Sequence, residues 1–228
     1  MQNKVIFDNN YNMTFKSYVS KVFGYVGCGL LISAISAFVS RNFIFSFGLV
    51  GTFLPIILEF VIAIYFSKRI MTMSKGTAYG CFALYSVVTG ISLSYIFIVF
   101  NVADITFAFV STTVLFVCMS IIGNNTNFDL TKISNYLYIG LIGIIISTLL
   151  NVLIFKSSSF DLFVSYIAVV IFLGLIAYDM QMLRNLYNNG LSDGDLYDKL
   201  LIFGSFQLYL DFINLFLRIL QVFSRRRD

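Results

Sequence analysis

The sequence predicts an all-helical, polytopic membrane protein with seven transmembrane helices and its C-terminal helix at the centre. Of 228 residues, 59% are hydrophobic and only 11% charged, whereas soluble domains carry about 25% charged residues. Seven stretches approach the roughly 20 apolar residues that a helix needs to cross a hydrocarbon core about 30 Å thick. The last of them carries Gln207, Asp211, Asn214 and Arg218. That polarity suits a helix wrapped by others better than one bathed in lipid.

The stretches run from Tyr18 to Val39, Phe43 to Phe66, Thr77 to Val99, Ile105 to Ile122, Tyr136 to Phe155, Leu162 to Leu183 and Leu200 to Val222. Short polar connections separate them, around Arg41, from Ser67 to Lys75, near Asn101, from Gly123 to Lys132, from Lys156 to Asp161 and from Asn185 to Lys199. Nothing between the stretches is large enough for a folded soluble unit. The reading is a single membrane domain over residues 1–228, with a cytoplasmic N-terminal segment (1–17), seven helices (18–222) and a basic tail (223–228). No cleavage site follows the first stretch, which is therefore expected to be retained. Small residues, Gly24, Gly27 and Gly29 in the first stretch and Gly140 and Gly143 in the fifth, allow close helix approach.

Lys and Arg set the orientation, because cytoplasmic loops carry the excess. With the N-terminus inside, the cytoplasmic segments hold Lys4, Lys16, Lys21, Lys68, Arg69, Lys75, Lys132, Arg184 and Lys199, against Arg41 and Lys156 on the other side. Arg225, Arg226 and Arg227 conflict with this: a seventh full crossing puts them outside, and a re-entrant last segment returns them inside. Two glycosylation-type triplets, at Asn12 and Asn124, fall on the cytoplasmic side and are discounted.

Composition excludes several chemistries. The chain has no His, so it lacks the usual base, the commonest metal ligand and the ordinary switch near neutral pH. Cys28, Cys81 and Cys118 are isolated in apolar runs, which argues against a disulfide framework or a zinc site. A net charge of +4, clustered at segment ends, suits membrane topology and not nucleic acid. No tightly bound cofactor and no enzymatic activity are expected.

Proton chemistry must then use carboxylates, and three lie inside the spans: Glu59, Asp179 and Asp211. A charge in that position is costly and is a functional candidate by default. If the last two helices are neighbours, Asp179 and Asp211 share a proton when empty, since adjacent carboxylates do not both ionise cheaply. Calcium, a hard cation that prefers carboxylate and carbonyl oxygens, could replace that proton. Glu59 lies four residues after Pro55, the only proline, which bends the helix and frees the Gly51 carbonyl to join a polar lining. Alternatives stay open at this point. The aspartates could hold helices together through Tyr178, Tyr209 or Asn214, and Glu59 could pair with Arg218 or Arg69. An intramembrane aspartyl protease fits poorly, because Asp195 lies in a hydrophilic loop. The loop acids Asp193, Asp195 and Asp198 lack the glycine and terminal Glu of a calcium loop and read as a solvated turn with a helix cap.

The segment Gln207-Leu-Tyr-Leu-Asp-Phe-Ile-Asn-Leu-Phe-Leu-Arg-Ile-Leu220 resembles the C-terminal signature of the Bax inhibitor motif family, and Ala177-Tyr-Asp-Met-Gln-Met-Leu183 is similar to the segment before it. Weaker likeness covers Asn12 to Gly29, Leu54-Pro-Ile-Ile-Leu-Glu59 and Ser86-Val-Val-Thr-Gly-Ile-Ser-Leu-Ser94. The resemblance implies a pH-sensitive calcium leak, with Asp179 and Asp211 as the sensor and calcium site, Glu59 lining the path and Arg69 as a latch. Where family members often have proline, this chain has Ser94-Tyr95, so a straighter third helix is expected. The N-terminal likeness and short loops point to a bacterial inner membrane, with the bilayer, calcium ions and protons as partners. A proton-coupled transporter and a membrane-embedded regulator of stress or cell-death responses are the alternatives.

Overall fold

A computed structural model describes residues 14–43, 48–188 and 194–224. Lys4, Asn12, Asp193 and the Arg225 to Arg227 cluster lie outside the described residues. Among those described, every regular element is helical: α1 (Phe15–Ser40), α2 (Gly48–Arg69), α3 (Lys75–Leu93), α4 (Ile96–Val99), α5 (Val102–Asn125), α6 (Thr131–Leu150), α7 (Ser158–Asn188) and α8 (Gly194–Ser224). A π-helical turn, Asn151–Phe155, prolongs α6. Among the described residues six units are long and apolar enough to cross a membrane: α1, α3 with α4, α5, α6 with its π turn, α7 and α8. The remaining long helix, α2, has 22 residues and holds Pro55 within it.

The expectation for the last helix matches its place in the bundle. α8 packs against α1, α3, α5 and α7. Within its apolar span 67% of residues are buried, against 44% for α3 with α4 and 11% for α6. Lipid is as apolar as Leu, so packing rather than water exclusion holds such helices together. Phe206 shows how: its ring meets Phe66, Phe82 and Tyr85 edge-on, with centroids 4.8–6.0 Å away, the arrangement that ring quadrupoles favour. Phe66 belongs to α2, and Phe82 and Tyr85 to α3. One α8 side chain thereby ties two outer helices to the centre.

Two glycines let the outer helices close on their neighbours. A Cβ at Gly90 of α3 would collide with the Ser33 carbonyl of α1, and one at Gly123 of α5 with the Ala177 carbonyl of α7. Of the glycines singled out in the sequence, Gly29 and Gly140 do face a neighbour, whereas Gly24, Gly27 and Gly143 have open space beside them. Glycine spacing alone does not distinguish a helix-facing position from a lipid-facing one.

Three expectations need correction. The third helix is not straighter for lack of proline. It breaks at Ser94, whose N–H and hydroxyl both go to the Ile91 carbonyl, at 3.2 Å and 2.6 Å. A serine that bonds back into its own turn tightens and ends the helix without proline. The segment Asn185 to Lys199 is mostly helical, not a loop, because α7 continues to Asn188 and α8 begins at Gly194. Rings explain the extension: Tyr187 of α7 and Tyr197 of α8 both pack on Tyr18, with centroids 5.7 Å and 5.3 Å away. Asp198 is therefore on a helix, where it forms an ion pair of 2.7 Å with Lys75 at the start of α3. Finally, Arg218 does not pair with Glu59. Its guanidinium donates to Thr148 and Gln221.

Candidate functional site

Asp179 and Asp211 reach one place because each stands on the buried face of its helix. On α7, Leu175, Ile176 and Leu183 are buried around Asp179; on α8, Leu208 and Leu215 are buried around Asp211. Three- and four-residue spacings define one helix face, so the acids follow these apolar residues into the α7–α8 seam. They are 4% and 7% exposed. Their carboxyl groups lie side by side, close enough to interact as hydrogen-bonding partners.

One oxygen of each, Oδ1 of Asp179 and Oδ2 of Asp211, is buried with no donor from any other described group. Of the three residues considered as structural partners, two hydrogen-bond elsewhere and the third packs by its ring. The Tyr209 hydroxyl bonds Ser33 at 2.6 Å, the Asn214 amide donates to the Leu210 carbonyl at 2.8 Å, and the Tyr178 ring packs edge-on against Tyr138. Ionised carboxyls only accept hydrogen bonds, whereas a protonated one also donates. A proton on one acid lets it donate to the other. Two bare carboxylates leave both unsatisfied and repel each other.

The loop that follows α5 is tied to α7 just beyond the acids. Gln181 accepts from the Leu130 N–H and donates to the Phe128 carbonyl, each at 2.8 Å. Arg184 donates to the carbonyls of Asn124 and Thr126. Asp129, in the same loop, accepts from the N–H and hydroxyl of Thr131 at the start of α6. These bonds hold its carboxyl below the usual aspartate range. Sequence reasoning did not single out Gln181, although its polarity, two residues after Asp179 in an apolar helix, was visible.

Glu59 occupies a second polar cluster, between α2, α3 and α8. The Ser92 hydroxyl lies beside its carboxyl, though the two do not meet in hydrogen-bond geometry. Tyr85 and Tyr209 lie within electrostatic range of it. Glu59 Oε1, Thr89 Oγ1 and Ser92 Oγ are all buried without a partner, an arrangement that native structures rarely leave unexplained. Nearby, Ser33 joins α1, α3 and α8 by donating to the Ser86 carbonyl at 2.7 Å and bonding Tyr209 at 2.6 Å. Ser86, Thr89 and Ser92 stand at three-residue intervals, a polar stripe legible in the sequence. Arg69 is exposed at the end of α2, and none of its described bonds reaches the acids.

Residues 15–228 match the family described as "Inhibitor of apoptosis-promoting Bax1". The chain belongs to this family. The inner membrane protein YbhL of Escherichia coli K12 is 39% identical over 218 residues, covering 93% of both chains. A Borreliella burgdorferi protein is 38% identical over 218 residues, covering 92% of this chain and 93% of its own. A membrane protein of Streptococcus pyogenes serotype M1 is 29% identical over 99% of both chains. The family match and the six apolar helices make this a multi-pass membrane protein. Among the described residues, no three or more acidic, Cys or His side chains gather into a metal cluster. Two carboxylates and the adjoining oxygens are what the seam offers a cation.

Proposed function

We propose that this protein is a pH-sensitive calcium leak, crossing a bacterial inner membrane seven times with its N-terminus in the cytoplasm. The observation that carries the reading is the buried acid pair, with one orphan oxygen on each carboxyl. At low pH a shared proton joins Asp179 to Asp211 and keeps the α7–α8 seam closed. As pH rises the proton leaves, and two negative charges face each other. At about 4 Å they repel by about 4 kcal/mol at an effective dielectric of about 20. That energy is enough to shift a two-state population by about a thousandfold.

A calcium ion relieves the repulsion, and as cargo it competes with the proton for the same oxygens. Calcium takes six to eight oxygen ligands, so water completes the shell that the pair begins. Glu59, with the unpartnered hydroxyls of Thr89 and Ser92, forms a second station for the ion. Arg69 acts as a latch only if α2 moves, because its side chain is exposed in this arrangement.

Purified full-length protein in dye-loaded liposomes tests the reading over about pH 6 to 8, a range in which a coupled acid pair can titrate. Calcium influx that rises with pH supports the leak. Absence of influx at every pH, from protein shown to be folded, contradicts it and leaves the aspartates a purely structural role.

A further inference from the structure

A second polar site lies away from the acid pair and from Glu59. Near the C-terminal end of α8, a crevice of ≈ 610 Å³ is bordered by α4, α6 and α8. Thr148, Asn214, Arg218 and Gln221 supply polar groups, while Ile96, Val99, Leu217 and Leu220 supply apolar walls. Its lining comes from near the ends of three helices: α4 ends at Val99, α6 passes into its π turn after Leu150, and α8 ends at Ser224. The crevice therefore lies close to the ends of α4 and α8. Tyr95 and Val99 at its rim are exposed.

The Arg218 guanidinium in this crevice donates to two neutral groups and has the Asp161 carboxylate within electrostatic range. Arg218 Nη2 donates to Thr148 Oγ1 at 3.1 Å and Nη1 to Gln221 Oε1 at 3.3 Å. Asp161 joins this network through Gln221, whose Nε2 donates to Asp161 Oδ2 at 2.8 Å. A guanidinium has more N–H donors than these bonds use, arranged in a fork that matches phosphate and carboxylate oxygens. Asn214 adds polar atoms on the same wall, although its amide already donates to the Leu210 carbonyl at 2.8 Å. An oriented guanidinium above an apolar trough suits a ligand with a phosphoryl head and a hydrocarbon body.

We propose that this crevice is an anion site for a phosphoryl group, centred on Arg218. The group comes either from an anionic phospholipid, whose acyl chain lies along the apolar wall, or from free phosphate. The site does not depend on calcium passage.

Native mass spectrometry of the full-length chain in detergent tests it, with phosphatidylglycerol, phosphatidylcholine and inorganic phosphate as probes. Unaltered protein should bind phosphatidylglycerol in preference to phosphatidylcholine, and Arg218→Gln should weaken that binding by about tenfold or more, the worth of a hydrogen bond to a charged group. Arg218→Lys, which keeps the charge and loses the fork, should weaken it less. If inorganic phosphate competes and is lost with Arg218→Gln, the site reads the phosphoryl group itself. If it does not compete while phosphatidylglycerol binds, the occupant is lipid. Equal binding of both lipids by unaltered protein, with no binding of inorganic phosphate to it, overturns the proposal even if the variants fail to fold. Calcium influx is not measured here, so failure of the leak leaves this result unaffected.

Discussion

α7 and α8 are joined twice by polar groups, one joint partly buried and the other buried, and the two are built on opposite principles. Near the start of α7, Asp161 accepts from the side-chain amide of Gln221 of α8 at 2.8 Å, and Gln221 Oε1 accepts in turn from Ser165 at 2.8 Å. An acid meets an amide, and the bonds form without help from a proton in solution. Further along, acid meets acid at Asp179 and Asp211, and one oxygen of each has no hydrogen-bond partner. One joint is satisfied by the protein alone; in the function proposed above, the other borrows its hydrogen bond from the medium. A seam with one fixed joint and one conditional joint can open at the second while the first holds.

The largest expected effect comes from making the conditional joint permanent. Asp179→Asn or Asp211→Asn supplies a fixed donor, so calcium influx into liposomes should lose its pH response. One titrating proton changes occupancy by at most about tenfold per pH unit, and that slope should flatten to near zero. Influx that keeps its full pH dependence in both variants would sink the account.

Packing sets the next effect. Gly123→Ala pushes a methyl group into the Ala177 carbonyl, two residues from Asp179. Overpacking of this kind costs about 1–3 kcal/mol, to be read as a lower melting temperature in detergent. Gly143→Ala, where nothing lies within 4 Å, should leave the melting temperature unchanged. Equal effects at the two sites would mean that α5 does not approach α7 as described.

Weakening the fixed joint should cost stability without touching pH sensing. Ser165→Ala removes one donor to Gln221 and should cost about 1 kcal/mol. The midpoint of the flux–pH curve should stay put; a shifted midpoint would show that the two joints are not independent.

The smallest effect belongs to Asp129, which is solvent-exposed. Its carboxyl is held below the usual range by Thr131, so its contribution is present above the ordinary aspartate range and fades as pH falls through the lowered value. Asp129→Ala should therefore narrow the stability difference between neutral and strongly acidic solution slightly, with no effect between about pH 6 and 8, far above aspartate titration. A change in the flux curve within that window would tie the loop to gating.

The acids were legible in the sequence because a lone charge in an apolar run stands out, whatever the fold. Six of the seven apolar stretches return, among the described residues, as helices long and apolar enough to cross a membrane, and the polarity of the last was equally legible. What was not legible depends on facing surfaces. Gly90 and Gly123 are ordinary glycines until α1 and α7 are laid against them, while Gly24 and Gly27, more conspicuous by spacing, touch no neighbour. The break at Ser94 follows from a hydroxyl bonding back to Ile91, a choice that no residue type dictates. Partnership within the seam was equally hidden. Arg218 was a reasonable mate for Glu59 by charge, yet the bundle gives it Thr148 and Gln221.

The most direct test of the conditional joint is to look for its proton. Infrared spectra of the full-length protein in lipid, recorded from about pH 6 to 8, report the carbonyl stretch of a protonated carboxyl, and a coupled pair can lose its proton in that range. The account predicts a band present at the acid end, lost toward the alkaline end and absent at both in Asp211→Asn. A pair that shows no protonated band at any pH, or one that persists unchanged in Asp211→Asn, would contradict it.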